Sequence, residues 1–483
     1  MSVVKNIDFN NCQIGRPAVI GIYGVAGSGN TFVLNALKHA YDTNHILLEG
    51  SEVISRLVHG GLEGFEALEE ARKKTMRELA LRTIVADCLN DGKTAVVTGH
   101  FMFWPRSRKL HSYYLLEYAA RDHPPPSSSR YCQASPRAFN RPIATWQCEE
   151  EMQLRSVCYR SGIIYYALEH DIPLPKVTQL IELFLHRSQE SHRRELETQL
   201  DGFVGSSTKH LASALALDAD KTLSAADSGH LFWKHVHQRC PDQMRREYLN
   251  DIFGGPLGYT SAAFLQAALL YEELVTQNIF DEVCTSVATE ISLYPDVATL
   301  LLKARNEEET MIFVVTCGLR FVWKKVLERY CLLDSVKILG SGPLTGAHVI
   351  TPQIEARLVA HLQRRYDLQV VALGDSVLDL DMLAQADRAV VIVGDEQTRS
   401  RRMEEELAKA INDGRLSANQ AILARGSPPR LNTAILPLVD LNGSEFYDHI
   451  LRSSPLSQLT SSYAQYYSLY GRPCLQDFGD SDA

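Results

Sequence analysis

Hydrophobic positions along the first part of the chain form short apolar runs separated by stretches with helical spacing. AVIGIY at 18–23, HILLEG at 45–50 and TAVVTGHFMFW at 94–104 have the length and composition of buried strands. IIYYAL at 163–168 is a further candidate strand. Strands that alternate with helices favour a parallel sheet with helices packed on its faces. The pattern therefore predicts an α/β domain.

The same alternation starts again at LASALALDADKTL, after a strongly amphipathic stretch. The candidate strands of this second unit are ALAL (214–217), MIFVVT (311–316), VVAL (370–373) and AVVIV (389–393). The long stretch between the first two strands has a helical pattern without a strong strand. We therefore predict two Rossmann-like parallel-sheet domains, the second of which carries an inserted helical cap.

Composition shifts suggest where these domains begin and end. The first domain is predicted over 1–207, with a Pro/Ser-rich irregular insert at 106–145. The second is predicted over 208–440, with its cap at about 224–310. The turn-rich residues 441–483 form a C-terminal tail.

Charge and cysteine usage exclude some classes of function. The net charge is −9, with no basic footprint, so we expect no nucleic-acid partner. The apolar runs are too short to span a membrane, and the N-terminus lacks the pattern of a secretory signal. Ten scattered cysteines without a C-x-x-C pair are typical of reduced thiols. We expect a cytoplasmic protein; the sequence leaves its oligomeric state open.

A glycine loop follows the first strand and precedes a helix, which is the context of a phosphate-binding loop. In GIYGVAGSGNTFV, Gly24, Gly27, Gly29 and Thr31 match the pattern G-x-x-x-x-G-K-[ST], but Asn30 replaces the lysine. Glycines and the helix N-terminus let backbone N–H groups hold an anion without that lysine. We therefore expect a degenerate site for ATP or another nucleotide.

Acidic and hydroxyl side chains stand at the ends of three strands of the second domain. Asp218 and Asp220 follow ALAL, Thr316 ends the next strand, and Asp375 and Asp379 follow VVAL. Carboxyl ends of parallel strands meet at one edge of a sheet. Oxygen donors of this kind suit Mg²⁺.

The order of these motifs resembles that of the haloacid-dehalogenase-like phosphatases, which read D-x-D-x-T, a strand-end Ser/Thr, a Lys and G-D-x-x-x-D. The resemblance implies that Asp218 is the nucleophile and Asp220 the general acid and base. It implies that Thr316 binds the phosphoryl oxygens. Asp375 would hold Mg²⁺ with Asp218 and the backbone carbonyl of Asp220, and Asp379 would support them. The cap would resemble that of the phosphoserine-phosphatase-like branch and would choose a small phosphorylated metabolite.

The lysine of this family pattern is missing. The residue at its expected place is Glu355, in TPQIEARLV. Arg357 lies two positions on, and residues i and i+2 do not share a helix face. Either Glu355 lies in the site and weakens or abolishes catalysis, or it points to solvent and Lys337 or another cation reaches in.

At the level of the whole chain, the motifs YGVAGSGNT, ALDADKTL and GDSVLDLDML resemble a fungal protein type. In that type a P-loop kinase-like domain precedes a haloacid-dehalogenase-like domain, often followed by uracil phosphoribosyltransferase; no phosphoribosyl-pyrophosphate loop is seen here. Three functions stay open: a magnesium-dependent phosphatase fused to a degenerate kinase-like domain, a regulatory or scaffolding pseudoenzyme, and an ATP-dependent small-molecule kinase.

Overall fold

The computed structural model describes most of the two predicted domains. The described residues are 2–6, 19–25, 28–40, 45–100, 102–103, 111–112, 141–168, 174–186, 189–206, 210–239, 248–274, 277–307, 309–342, 349–444 and 446. Most of the predicted insert at 106–145 and nearly all of the predicted tail at 441–483 lie outside them. Among the described residues, no helix combines the length and the apolar character needed to cross a bilayer.

The described residues fall into two compact units. The first takes its residues from 1–192, 232–283 and 342–349, and the second from 193–231, 284–341 and 350–483. Part of the helical stretch predicted as a cap therefore packs with the first unit.

The first unit is built on a mainly parallel sheet. Its strands are β1 (Ser2–Asn6), β2 (Val19–Tyr23), β3 (His45–Glu49), β4 (Thr94–Gly99) and β7 (Ile164–Ala167); β5 (Met102–Phe103) and β6 (His111–Ser112) form a separate pair. The sheet order is β3-β4-β2-β1-β7, and β4 pairs in parallel with both β2 and β3. The predicted α/β class is confirmed.

Strand β1 departs from the prediction. It lies between β2 and β7 and pairs antiparallel with both of them. Its sequence, SVVKN, has only two adjacent β-branched residues and no apolar run. Its strand conformation depends on the neighbours that supply hydrogen bonds on both sides, so local pattern does not reveal it.

Helices follow the strands of this sheet along the chain and continue through the insertion. They are α1 (Asn30–Ala40), α2 (Gly50–Leu57), α3 (Gly61–Glu66), α4 (Glu70–Asp91), α5 (Arg141–Arg160), α6 (Leu174–His186), α7 (Gln189–Gly205), α8 (Ser228–Arg239), α9 (Tyr248–Phe253), α10 (Ser261–Leu274) and α11 (Gln277–Glu290). The division between the two units falls within α7, α8 and α11.

Helix α10 packs along the edge of the first sheet that β7 forms. Within the described ranges β7 is the last strand of that sheet, so its outer backbone groups have no strand partner there. The Gln266 side chain fills this role: its Oε1 accepts from the Tyr165 N–H at 2.7 Å and its Nε2 donates to the Tyr165 carbonyl at 2.9 Å. Glu273 accepts from the N–H of Ala167 at 3.1 Å and forms a buried ion pair with Arg155.

We expect Gln266→Met to lower the free energy of unfolding by about 2–4 kcal/mol, because it keeps the side-chain length but leaves two buried backbone groups of Tyr165 unpaired. Urea denaturation measures the change. Gln397→Met is the matched control, since Gln397 is exposed and surface substitutions of this kind change the free energy of unfolding by no more than about 0.5 kcal/mol. Equal stability of the two variants would contradict the edge-covering role of Gln266.

The second unit contains a fully parallel six-stranded sheet. Its strands are β8 (Ser213–Leu217), β9 (Thr310–Leu319), β10 (Val336–Ser341), β11 (Gln369–Gly374), β12 (Arg388–Val393) and β13 (Ala418–Ile422). The order is β10-β9-β8-β11-β12-β13. All five residues of β8 are buried at the centre of this sheet. The edge strands β10 and β13 are not among the four strands predicted for this unit.

The remaining helices pack on this sheet and form the core of the second unit. They are α12 (Pro295–Ala304), α13 (Arg320–Arg329), α14 (Pro352–Tyr366), α15 (Leu380–Gln385) and α16 (Arg401–Asn412). Leu358 of α14, Leu383 of α15 and Leu407 of α16 belong to one buried cluster with the strands. Each such leucine contributes about 1.5–3 kcal/mol through burial. This packing holds the strand ends that carry the predicted motifs.

Candidate active site

Three predicted carboxylates meet at the carboxyl ends of β8 and β11. Oxygen atoms of Asp218, Asp375 and Asp379 lie within 4.8 Å of one another, and all three residues are buried. The N–H of Asp218 donates to the Leu373 carbonyl at 3.0 Å, so the residue is fixed to the neighbouring strand as β8 ends. The topology thus brings together side chains more than 150 residues apart in sequence, as the strand pattern predicts.

The turn after β11 is built around the Asp379 carboxylate. Its Oδ2 accepts from the N–H groups of Asp375 at 2.9 Å and Ser376 at 2.8 Å. Ser376 in turn caps the short 3₁₀ turn Val377–Asp379, with its Oγ accepting from the Leu378 N–H at 3.2 Å. The spacing G-D-x-x-x-D therefore closes a small loop that holds Asp375 in place.

Asp220 and Thr316 lie next to each other at Gly318. A β-carbon at position 318 would be 2.3 Å from Asp220 Oδ2 and 3.2 Å from Thr316 Oγ1, so only glycine fits between them. Thr316 is buried, and its Oγ1 accepts from the Gly318 N–H at 3.0 Å. The Asp220 carboxylate accepts from the N–H of Ser228 at 2.6 Å and from its hydroxyl at 3.0 Å. Asp220 is therefore beside, and not within, the three-carboxylate cluster.

Burial and mutual repulsion shift the acidity of the cluster. Burial, with the nearby Asp379 and Glu355, raises the pKa of Asp218 above its usual range. Burial and Asp379 also raise the pKa of Asp375 to about 8, which Arg430 and Lys221 oppose. The pKa of Asp220 rises to about 7, first through burial and then through Asp227. Like charges gathered in this way gain stability from a cation, and the oxygen donors fit Mg²⁺.

Glu355 lies inside this site. It is 1% exposed in the first turn of α14, and its Oε1 accepts from the Cys317 thiol at 3.5 Å. Its Oε2 is buried without a hydrogen-bond partner among the described residues. Burial and the charge of Asp379 raise its pKa well above the ordinary glutamate value.

The alternative in which Glu355 points to solvent is wrong. Arg357 is exposed, as expected for a residue two positions along the same helix. Lys337 does not replace the missing lysine, because its Nζ donates to the Asp334 carbonyl at 3.2 Å and lies 6.0 Å from the ring centre of Phe203. The site thus has an acidic residue where the family pattern has a basic one.

Arg430 is a cation of this site that the sequence analysis missed. Its side chain is 1% exposed, and its Nη2 donates to the Asp375 carbonyl at 2.8 Å and lies 3.7 Å from Asp375 Oδ2. Gln420 of β13 holds the segment that carries it, accepting from the Arg430 N–H at 2.9 Å and donating to the Leu431 and Leu436 carbonyls. No local motif marks this arginine.

In the first unit, the Asn30 side chain contacts backbone carbonyls at the start of the glycine loop and at the end of β4. The Asn30 Nδ2 donates to the Gly99 carbonyl at 2.9 Å and lies 3.5 Å from the Gly24 carbonyl, while its Oδ1 accepts from Ser28. The residue is 9% exposed at the start of α1. Gly29 has a left-handed φ of 91°, which its missing β-carbon permits. Thr31 is exposed, and the predicted Gly27 lies outside the described residues.

Because Asn30 ties the loop to the end of β4, we expect Asn30→Ala to lower the free energy of unfolding by about 1–3 kcal/mol. Asn35→Ala is the matched control: Asn35 is exposed on the same helix, and alanine is the better helix former. Chemical denaturation of both variants measures the difference. If Asn30→Ala is as stable as Asn35→Ala, the amide has no structural role.

Comparisons with known proteins support both predicted domain classes. Residues 215–384 match the family model of the haloacid dehalogenase-like hydrolases, and residues 23–120 match that of an AAA domain. The chain thus contains a haloacid dehalogenase-like hydrolase domain over 215–384, whose strands lie in the second unit, and a P-loop kinase-like domain over 23–120. No curated protein matches the chain.

Solved structures similar to this chain include phosphoserine phosphatases. One, in its apo form, is 11% identical with a TM-score of 0.30 and covers 42% of this chain and 98% of its own. A substrate-bound phosphoserine phosphatase is 13% identical with a TM-score of 0.30, and the match covers 42% of this chain and 98% of the phosphatase. A protein of unknown function from Bordetella pertussis Tohama I is 17% identical with a TM-score of 0.32, and the match covers 43% of this chain and 98% of that protein.

Proposed function

We propose that the second unit is a magnesium-dependent phosphatase that acts on a small phosphomonoester through an aspartyl-phosphate on Asp218. The observation that carries this proposal is the meeting of Asp218, Asp375 and Asp379 within 4.8 Å at one edge of a parallel sheet. Thr316 and Asp220 stand at the same edge, on either side of Gly318. The set contains a nucleophile, an acid, a hydroxyl donor and cation ligands.

The chain's own residues account for both chemical steps. An Asp218 oxygen attacks phosphorus, the bond from phosphorus to the leaving oxygen breaks, and Asp220 gives its proton to that oxygen. Water then attacks the phosphorus of the aspartyl-phosphate while Asp220 takes a proton from the water. The bond between the Asp218 oxygen and phosphorus breaks, which restores the carboxylate and releases inorganic phosphate. A pKa of about 7 for Asp220 suits both the acid and the base role near neutral pH.

Other residues position the substrate and the cation. The Thr316 hydroxyl donates to a phosphoryl oxygen, and Asp218, Asp375 and Asp379 would hold Mg²⁺. When bound, Mg²⁺ neutralises negative charge on the phosphoryl oxygens. The Asp379 carboxylate accepts from the Asp375 N–H, and Arg430 donates to the Asp375 carbonyl, so both backbone groups of Asp375 are held.

Glu355 favours a second candidate function. A carboxyl group in place of a lysine removes a positive partner of the phosphoryl group and slows the reaction. If the loss is complete, the unit is a pseudoenzyme that binds Mg²⁺ for a regulatory or scaffolding purpose. The observation that favours this candidate is the buried place of Glu355 against Cys317 in the site.

For the first unit we propose nucleotide or phosphate binding without phosphoryl transfer. The Asn30 amide is engaged with the carbonyls of Gly24 and Gly99, and it cannot supply the charge that a P-loop lysine gives to a transferred phosphate. These contacts argue against an ATP-dependent kinase. Transfer of the ATP γ-phosphate to an acceptor, lost in Thr31→Ala, would support the kinase instead.

The test of the proposed function is phosphate release by the purified full-length protein. A panel of serine phosphate, nucleotides and sugar phosphates is assayed with Mg²⁺ and with EDTA. We expect release from at least one member with Mg²⁺ and none with EDTA. Binding of Mg²⁺ without release from any member would favour the pseudoenzyme.

A further inference from the structure

Lys221 has a backbone conformation that is unfavourable for a lysine. It lies between Asp220 and Thr222 with a φ of 62°, and the other non-glycine residues with positive φ in the described chain are Cys331 and Asp367. A β-carbon makes this left-handed region costly, and glycine or asparagine is usually found there. Strain of this kind beside an active site suggests a functional reason for the side chain.

The Lys221 side chain lies at the accessible side of the site. Its Nζ is 3.3 Å from Asp227 Oδ2, and the two side chains are 40% and 42% exposed. Asp227 has a structural role of its own, because its Oδ1 accepts from the His230 N–H at the start of α8. Exposed ion pairs contribute little to stability, so the flexible lysine stem can exchange Asp227 for another anion.

Lys221 is also near the carboxylate cluster. Lys221 directly follows Asp220 at the carboxyl end of β8, where its N–H donates to the Ala226 carbonyl at 3.0 Å, and Arg430 reaches the same site from the C-terminal segment. Arg430 is 1% exposed and already donates to the Asp375 carbonyl, so it does not meet a ligand that enters from solvent. Lys221 is the one of these two cations that such a ligand can reach.

We propose that Lys221 binds the phosphoryl group of the ligand and supplies part of the positive charge that is absent at position 355. This inference rests on the proposed function, because it concerns the same site. The ligand is a phosphate monoester or inorganic phosphate; Lys221 would contact its phosphoryl oxygens, and Asp218, Asp375 and Asp379 would hold the cation of the site. The strained backbone of Lys221 is then maintained for binding and not for stability.

The test compares stability with phosphate affinity in Lys221→Gly. Glycine relieves the left-handed strain, so the thermal midpoint should be equal or higher, while the dissociation constant for inorganic phosphate with Mg²⁺ should rise about tenfold or more. Calorimetric titration and thermal unfolding of the full chain measure the two quantities. Lys221→Asn, which tolerates the same conformation, should give the same loss, and Lys221→Arg should retain most of the affinity.

Two further variants separate binding from structure. Asp367 also has a left-handed backbone conformation, but it lies at the end of α14, just before β11 begins, and so at the opposite edge of the sheet from the site. Asp367→Gly should therefore relieve the same kind of strain and leave the phosphate affinity unchanged. Asp227→Asn keeps a good helix cap but loses the ion pair, and should tighten phosphate binding by about two- to threefold.

The possible failures are distinguishable. Wild-type protein that binds phosphate, with equal affinity in Lys221→Gly, overturns the role of Lys221 and leaves the proposed function intact. Wild-type protein that neither binds phosphate nor releases it from any phosphomonoester overturns the proposed function and this inference together. A weaker phosphate affinity in Lys221→Gly at undiminished thermal stability supports the inference.

Discussion

Asp218→Asn is expected to reduce the release of phosphate by at least about 1,000-fold, the scale seen when an enzyme loses its nucleophile. The amide cannot form the aspartyl-phosphate, and it is a poorer ligand for a divalent cation than the carboxylate. Stability should not fall, because Asp218 is a buried carboxylate among like charges and the substitution removes one of them. The measurement is kcat on the best substrate of the panel, together with the thermal midpoint.

The matched control for Asp218→Asn is Asp381→Asn. Asp381 is exposed on α15, close to the G-D-x-x-x-D motif but outside the three-carboxylate cluster. This control should keep the wild-type kcat. If the wild-type rate is low, both substitutions can be made in a Glu355→Lys protein, whose higher expected kcat makes a large loss measurable. Turnover that persists in Asp218→Asn would show that another group is the nucleophile, or that the activity comes from a contaminant.

The central strands were predictable from the sequence because burial on both faces requires a continuous apolar run. ALAL, within β8, and AVVIV, within β12, are such runs, and both are almost entirely buried. The edge strands β10 and β13 carry polar residues such as Lys337 and Asn419, since a strand with one neighbour is partly exposed. Their mixture of polar and apolar residues is also found in loops, so the sequence alone does not identify them as strands.

The three-carboxylate cluster was predictable for a different reason. Asp218 and Asp375 each follow a strand of the sheet, and parallel strands place their carboxyl ends at one edge. Arg430 and Ser228 also contact residues of the site, but they reach it from a C-terminal segment and from a helix start. Their places depend on tertiary packing, such as the bonds that Gln420 makes to the segment of Arg430. A single sequence contains no local signal for them.

The position of Glu355 was open from the sequence because one residue of register decides which face of α14 it occupies. Thr351 caps the helix, with its Oγ1 accepting from the Ile354 N–H at 3.4 Å. This start places Glu355 on the buried face and Arg357 on the exposed face. The direction of the Glu355 side chain therefore follows from the cap, and it places a carboxyl group inside the candidate site.

Glu355→Lys is expected to raise kcat by up to roughly 1,000-fold. A unit charge about 4 Å away at an effective dielectric near 20 is worth about 4 kcal/mol, and each 1.36 kcal/mol changes a rate tenfold. Glu355→Gln, which removes the acid without adding a cation, should give a smaller gain of about tenfold. The ammonium should also pair with the Asp218 and Asp379 carboxylates, so the thermal midpoint should hold or rise. Phosphate release and thermal unfolding measure both effects.

Gln353→Lys is the matched control, because Gln353 is exposed on the same turn of α14 and a lysine there changes the net charge without entering the site. It should leave kcat unchanged. Glu355→Lys that is active beside a silent wild type would mean that the natural chain is a pseudoenzyme whose site lacks only this charge. Glu355→Lys no faster than Gln353→Lys would mean that residue 355 does not limit the reaction. In that case the positive charge comes from elsewhere, and the Lys221 variants identify whether it comes from that side chain.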